Sequence, residues 1–474
     1  MKVQPPEIIV TQEEPTLRSI QTAYNQWNAQ RSRYDVLHRY YIGDHDFAAT
    51  RDPDGNRIVS NFCNYIPKAL RGYMLGNRPH YVCDDSDTAA KDILDLFERQ
   101  DKWLIDSQIC LDMSIHGKAF ELVFLPRDGK DPSSVTVSPR DAFVAYTGDM
   151  ERDSVFGLVR YSFIDEKNVT HYTFYVYDRE FLTVYESTSK EPTWVPKGEP
   201  VPHGFGRVPL IEYRNNREMM GDFETVLDEQ DAYNALLSDR QDDKDAFAAS
   251  MLYIQGMILG TTPDELKEGR RFLKENRIVQ GTEDTQVSWL TKTMDESSTQ
   301  ILQDQYAANI HKFSMVPDLS DEAFAGNASG VAMAYKLFGT DQMVAEKIAQ
   351  FRQGFRRRCK LYDWRMHNPS NRPGYEPLAD IGAMDIEFAL NVPLDLSYMA
   401  AAITQLTTSK VMSRRTAMTL LSVIPDVEEE QERIREETEE DNAAMQSVYD
   451  ADPVEDGRRL NGDEDGQPEE DTEE

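Results

Sequence analysis

An α+β fold dominated by helices is what the sequence predicts, and three observations carry that expectation. Leu17, Ile20, Tyr24, Trp27, Tyr34, Leu37 and Tyr41 recur mostly at three- and four-residue steps over 16–41, the pattern of an amphipathic helix. Residues 119–213 change texture to runs such as FELVFL, FGLVRYSFI and THYTFYVYD, rich in Val, Phe, Tyr and Thr and separated by turn residues, which predicts an antiparallel sheet. Residues 222–255 contain neither glycine nor proline, so an uninterrupted helix of roughly 34 residues, ~50 Å at 1.5 Å per residue, is expected there.

The remaining elements come in chain order. Gly43 closes the first helix, the turn RDPDGNR occupies 51–57, and further helices fit about 61–75, 87–100 and 102–116. After the long helix, residues 256–294 read as a compact insert. It holds a helix capped at Thr262-Pro263-Asp264-Glu265 and two short strands, NRIVQG and QVSWLTK. A helix over 295–313 leads into SMVPDLSDEAFAGNASG, and a long one over about 329–367 carries only Gly339 and Gly354 as weak points. MDIEFALNVPLD at 384–395 reads as a strand returning to a sheet. Helices are expected near 395–408, 413–422 and 426–449, and disorder beyond Asp450.

With 474 residues, the chain has room for about three domain-sized units. At 40% hydrophobic and 28% charged residues it is neither fibrous nor wholly disordered. No apolar run approaches the ~18 residues of a membrane span, and the first twenty residues lack the basic start and apolar block of a secretory signal, so a cytosolic protein is expected. Cys63, Cys83, Cys110 and Cys359 include no CxxC pair and read as inert core thiols in a reducing compartment. The net charge is −33, of which residues 426–474, with 22 acids and 4 bases, supply −18. A protein that grips nucleic acid needs clustered Lys and Arg to release counterions, so tight DNA binding is excluded.

Motifs for chemistry are mostly missing. The sequence has no GxxxxGK[ST], no GxGxxG after a strand, no HExxH and no GxSxG, which disfavours an ATPase motor. Asp44, His45 and Asp46 are the best metal-like cluster, and a metal-dependent nuclease using them is one rival reading; helix capping with the side chains facing water is the plainer one. His116 and His311 fit hydrogen-bonded packing residues. Arg356, Arg357 and Arg358 fan around a helix axis and so make no DNA-facing stripe; surface ion pairing is the expectation. The acids of 222–245 would by themselves be read as a solvated face.

The order of segments changes that reading. YYIGDHD at 40–46 and NRIVSNFCNYIPKALRGYMLGNRPHY at 56–81 resemble the amino-terminal signature of portal proteins of long-tailed bacteriophages. GDFETVLDEQDAYNALLSD at 221–239 resembles that family's first stem helix, NASGVAMAYKL at 327–337 the start of its long return helix, and NVPLD at 391–395 a later wing strand. The resemblance runs over about 20–410 and leaves the acidic end unmatched.

It implies a mainly helical portal fold with long stem helices, a β-containing wing and a small α/β clip. The parts would be an N-terminal wing over 1–221, a stem helix 222–255, the clip 256–294, a second stem helix 295–313 and a tunnel loop 314–328. Beyond them would come a long wing helix and returning strand over 329–408, a helical crown 409–449 and a disordered acidic tail 450–474. It further implies a non-enzymatic homo-oligomeric ring of about twelve copies at one capsid vertex, without cofactor, metal or membrane. Double-stranded DNA would pass through that ring, which would dock the terminase large subunit, a head-completion adaptor, and scaffold and major capsid proteins; it would assemble in the host cytoplasm and reside in the virion. The tunnel loop would place Asp318, Leu319, Ser320, Asp321, Glu322, Phe324 and Asn327 at the DNA. Asp228, Asp239 and Asp243 would be channel acids that repel phosphates, and Glu265, Lys267, Arg270, Arg271 and Lys274 would dock the motor. A helical scaffold or adaptor that binds only proteins is the second rival.

Overall fold

The computed structural model describes residues 7–11, 14–84, 86–127, 129, 131–189, 192, 194–248, 251–255, 262–276, 286–290, 296–319, 330–368, 384–392, 403–420 and 427–450. The chain divides into two compact units, 1–393 and 394–474. The second unit thus starts ahead of the expected boundary at 409; its helices include Arg414–Leu420 and Val427–Asp450.

Strand β1 (Ile8–Val10) precedes α1 (Leu17–Ile42). Thr16 caps α1, accepting from the Ser19 N–H at 3.2 Å, and Gly43 ends it at φ 95°, a left-handed position that suits a residue without Cβ. The short α2 (Asp46–Thr50), α3 (Phe62–Leu75), β2 (His80–Val82), α4 (Thr88–Arg99) and α5 (Lys102–His116) come next, close to the expected bounds. β3 (Lys118–Phe124), β4 (Ser133–Val137) and β10 (Leu210–Arg214) form a three-stranded antiparallel sheet. β1 joins β5 (Ala142–Thr147), β6 (Ser154–Ile164), β7 (Thr170–Tyr177), β8 (Phe181–Ser187) and β9 (Val201–Pro202) in a six-stranded sheet. The single sheet expected over 119–213 is therefore two, and β1 adds a parallel pairing with β5.

These layers bury three clusters. Tyr24 and Trp27 of α1 pack on Phe143, Phe156 and Phe174 of the larger sheet. Phe120, Leu122 and Val137 meet Val144, Tyr146 and Val159 between the sheets. Leu70, Met74, Phe97, Ile109 and Met113 form the helical core with residues of α9 (Gly330–His367), the long helix, whose Phe351, Phe355 and Tyr362 complete it. Gly354, a weak point by helix propensity, is where α9 presses on the sheet: a Cβ there would lie 2.3 Å from the Tyr213 ring.

The helix expected over 222–255 is shorter. Residues Glu224–Val226 make a 3₁₀ turn, α6 runs Leu227–Ala248, and Met251–Gln255 is strand β11. β11 pairs antiparallel with β12 (Gln286–Leu290), so the inserted module begins at 251 instead of 256. Its helix α7 (Pro263–Asn276) lies where the sequence placed it, whereas most of NRIVQG falls outside the described residues. α8 (Glu296–Ser314) returns from the module. Of the strand expected over 384–395, the described residues 384–392 contain β13 (Asp385–Glu387), paired with β2. Cys63, Cys110 and Cys359 are buried and Cys83 half-buried; burial pushes the Cys110 thiol up to about 11.

Candidate functional site

The candidate site is built on α6, the segment packed against it, α8 and the chain that leaves α8. A buried ion pair sets the start of α6: Lys347 Nζ donates to Asp222 and, at 2.6 Å, to Ser114 Oγ, while Asn215 Nδ2 donates to Asp222 at 2.6 Å. With its carboxylate consumed by α9 and the chain ahead of α6, Asp222 anchors the start of the helix.

Along α6, Gln230, Asn234, Ser238 and Asp242 stand four residues apart and accept the backbone N–H groups of Phe62, Ser60, Ile58 and Asn56, at 2.9, 2.9, 2.9 and 2.8 Å. Every second N–H of 56–62 is bonded, which is the alternation of an extended chain. Two extended residues advance ~6.6 Å and four helical residues ~6.0 Å, so the two repeats stay in step over these rungs. Arg51 closes the outer end of this strap on Asp239, at 2.8 Å, and on Asp242. Asn56 Nδ2 also donates to Asp242 at 2.7 Å and to Asp245 at 2.8 Å.

Much of the acidic face of α6 therefore serves the protein's own backbone and cations rather than solvent. Tyr40 donates to Asp231, and Arg33 binds Glu224. Of the expected channel acids, Asp228 is exposed in the first turn, where a negative charge suits the helix N-terminus, and Asp243 is half-buried. Asp239 is exposed but spoken for by Arg51.

The nuclease cluster does not assemble. His45 is buried; its Nε2–H donates to the Tyr40 carbonyl at 3.0 Å and Nδ1 accepts from Asn234 at 2.9 Å. Burial holds its imidazole below the usual range, and both nitrogens are taken. Asp44 and Asp46 turn instead to Arg39, at 3.7 and 2.7 Å, so the water-facing reading fits the two acids but not His45. Among the described residues no group of three His, Cys, Asp or Glu is placed to hold a metal. His116 also departs from expectation: it is packed against His38 and Tyr34 with neither ring nitrogen hydrogen-bonded, and burial pushes it down to about 3.

Two more corrections concern charge. Arg358 lies in the core, not at the surface, and its guanidinium binds Asp106 at 2.6 Å and Glu121 at 2.8 Å. Arg356 and Arg357 are exposed, as expected, and Arg357 Nη1 donates to the Tyr146 hydroxyl at 3.4 Å. On α7, Glu265 completes the capping box with Thr262, its N–H and carboxylate lying 3.4 and 3.3 Å from the Thr262 hydroxyl and N–H. Lys267 and Arg271 are exposed; with Arg270 and Lys274 they occupy one face of the helix by spacing, although the latter two side chains fall outside the described set.

α8 is tied to α6 through Arg240, which donates to Gln300 at 2.8 Å and Gln303 at 2.9 Å. Beside this tie, Leu236, Ile301 and Leu302 line an open apolar groove. After α8 the chain leads to Asp318, 4.0 Å from His311, and to Leu319, which is half-exposed. Ser320, Asp321, Glu322, Phe324 and Asn327 lie outside the described residues.

The family model described as phage portal protein, SPP1 Gp6-like, matches residues 20–444. The chain belongs to that family. It is a structural, non-enzymatic family, and the match takes in both α6 and α8 and most of the second unit. The portal protein of Bacillus phage SPP1 is 23% identical over 453 residues, which is 90% of this chain and 87% of that one. Among solved structures, a chain from the neck of a native gene transfer agent particle computed with C12 symmetry is 10% identical with a TM-score of 0.46, covering 82% of this portal protein and 92% of itself. A chain from the virion of a native gene transfer agent particle is 11% identical with a TM-score of 0.43, with the same coverage of 82% and 92%. Among the described residues of this portal protein, no helix is long and apolar enough to cross a membrane.

Proposed function

We propose that this portal protein forms a closed ring of about twelve copies at one capsid vertex, through which double-stranded DNA is packaged and later ejected. The observation that carries the ring is the groove between α6 and α8. Ile301 is 69% and Leu302 44% exposed on α8, away from the core that holds Ile310, and a neighbouring copy would cover them. A heterologous contact that closes by rotation makes a ring. In this reading α6 and α8 are the stem, 251–294 the clip and 314–328 the tunnel loop, with Asp318, Leu319 and Phe324 touching DNA without ionic grip. The exposed basic face of α7 docks the terminase large subunit, and the wing meets the head-completion adaptor, scaffold and major capsid proteins. Assembly takes place in the host cytoplasm and the ring ends in the virion.

Native mass spectrometry of the purified chain at near-physiological salt is expected to show rings of about twelve, neighbouring numbers included. Monomer or dimer alone would refute the proposal, and rings that lack an open channel in negative-stain images would favour the scaffold reading.

The stem acids carry a second expectation. Asp228→Lys with Asp243→Lys moves the charge by +4 per subunit and spares Asp239, one of the two carboxylates that hold Arg51. If both face the channel, the ring gains DNA affinity that falls with salt by a log–log slope of about −0.9 per phosphate engaged. Absence of any salt-sensitive gain would mean that these residues face away from DNA.

A further inference from the structure

The five residues after α8 are held by side chains from three elements. Met315 takes a left-handed backbone, φ 55°, which a non-glycine residue keeps only when its surroundings impose it. The Thr340 hydroxyl, from α9, donates to the Met315 carbonyl at 2.7 Å. The His311 ring, one turn back on α8, donates from Nδ1 to the Val316 carbonyl at 2.9 Å, and the Val316 side chain is buried. Tyr65, from α3, bridges Pro317 and Leu319: its hydroxyl donates to the Pro317 carbonyl at 2.8 Å and accepts the Leu319 N–H at 3.0 Å. The rings of Tyr65 and Phe62 both meet His311 edge-on, at 5.9 and 5.4 Å, so the donors brace one another.

We propose that Tyr65, His311 and Thr340 are positioning residues that turn 315–319 into a rigid abutment, fixing the direction in which the chain departs from α8. A helix end needs its last carbonyls satisfied, and water or a glycine C-cap would suffice for that. Here backbone groups of Met315, Val316, Pro317 and Leu319 are bonded individually beyond the helix end, and the last bond falls on Leu319, whose side chain is itself half-exposed. Such a set of bonds orders the exit rather than the helix. The consequence for DNA rests on the proposed tunnel loop: with its base fixed, the loop sets out from the same place in the same direction in every copy of a ring.

Tyr65→Phe in the full-length ring tests this, because it removes one oxygen and keeps the ring that packs on His311. Hydrogen–deuterium exchange of the peptide containing Leu319 should quicken by roughly 3- to 10-fold, the range one or two lost hydrogen bonds give. Ring assembly should be unchanged, while the yield of DNA-filled capsids falls. Unaltered exchange at Leu319 would overturn the abutment, and faster exchange with wild-type packaging would overturn its positioning role. If Tyr65→Phe fails to assemble, Thr340→Val removes the Met315 bond from the other side and is read the same way. Deletion of 320–326, which spares Leu319 and its bond to Tyr65, separates the tunnel loop from the abutment. Normal packaging by that deletion would sink the tunnel-loop reading, and the exchange measurement would still decide the abutment.

Discussion

Replacing Arg358 by alanine is expected to destabilise the protein by about 3–5 kcal/mol, the cost of leaving buried charges without their partner. Arg358, Asp106 and Glu121 have fully buried side chains. The guanidinium reaches Asp106 on α5 and Glu121 on β3, while Tyr81 and Tyr213 donate to the same two carboxylates at 2.6 and 2.7 Å. The arginine thus ties α9 to α5, β2 and the β10–β3 pair, and the rings of Phe97, Phe355 and Tyr213 surround its plane. Burial pushes the Glu121 carboxyl upward, but Arg358 and Lys102 outweigh it and hold the group below its usual range. For Asp106 burial wins, and the carboxyl stays above its range. In the wild-type protein Glu121 therefore adds stability above its unfolded pKa, and this is lost as pH falls through the depressed folded value. Without Arg358 both carboxyls rise, so the penalty is largest near pH 7–8 and shrinks on acidification as they are protonated. Arg358→Lys keeps the charge but not the two-pronged geometry and should fall between. Denaturant unfolding at pH 7.5 and pH 5 measures this, and a loss below about 1 kcal/mol at pH 7.5 would refute it.

The same arginine shows why part of the molecule was legible in the sequence and part was not. Local signals survived: Gly43 closes α1, the Thr262 and Glu265 box opens α7, and of the apolar steps of 16–41 Ile20, Tyr24, Trp27, Tyr34 and Leu37 are buried on α1, although Leu17 is exposed and Tyr40 takes the buried place expected for Tyr41. Each of these depends on neighbours within a turn or two. The three-arginine run could not be read locally, because Arg358 is matched by acids 252 and 237 positions away. α6 failed at its far end for a related reason. Absence of glycine and proline permits a helix but does not require one, and Met251–Gln255, with Leu, Tyr and Ile, finds a strand partner in Gln286–Leu290. The tunnel-loop residues past Leu319 had a sequence reading only. The clearest missed signal was Gln230, Asn234, Ser238 and Asp242, which are spaced at four residues within a run read for its charge alone. Three of them are short or neutral polar groups that a solvated acidic face does not need, and Gln230, Asn234 and Ser238 are wholly buried.

That ladder leads to the second large effect. Gln230→Met, Asn234→Leu and Ser238→Ala together should release the strap from α6. The three changes leave the N–H groups of Ser60 and Ile58 without their acceptors and that of Phe62 with only the Ser60 carbonyl at 3.1 Å, and the Ser60 carbonyl loses the 2.7 Å bond it accepts from Gln230. An abandoned buried donor costs about 1–3 kcal/mol, but these rungs are neighbours on one chain and will not simply add. Once two adjacent rungs are gone the middle of the strap is held only from its ends, by Asn56 on Asp242 and by α3, since Arg57, Ile58 and Val59 are all exposed. Native-state trypsin cleavage after Arg57 reports the opening directly, because cleavage tracks the open population when reclosing is fast. Each ~1.4 kcal/mol of lost local stability multiplies that population tenfold, so a single variant such as Ser238→Ala should speed cleavage by about 10-fold and the triple by roughly 100-fold or more. Asn234→Leu also removes the partner of His45 Nδ1, and comparing it with Ser238→Ala, which leaves His45 untouched, separates the two losses. The strap enters α3 at Phe62, one turn before Tyr65, whose hydroxyl holds the chain leaving α8. Opening the strap should therefore loosen Leu319 as well, seen as faster amide exchange there in the triple variant. If cleavage after Arg57 stays at the wild-type rate in that variant, the rungs accompany the strap without holding it, and the packing of Phe62 and Cys63 at its inner end must do so instead.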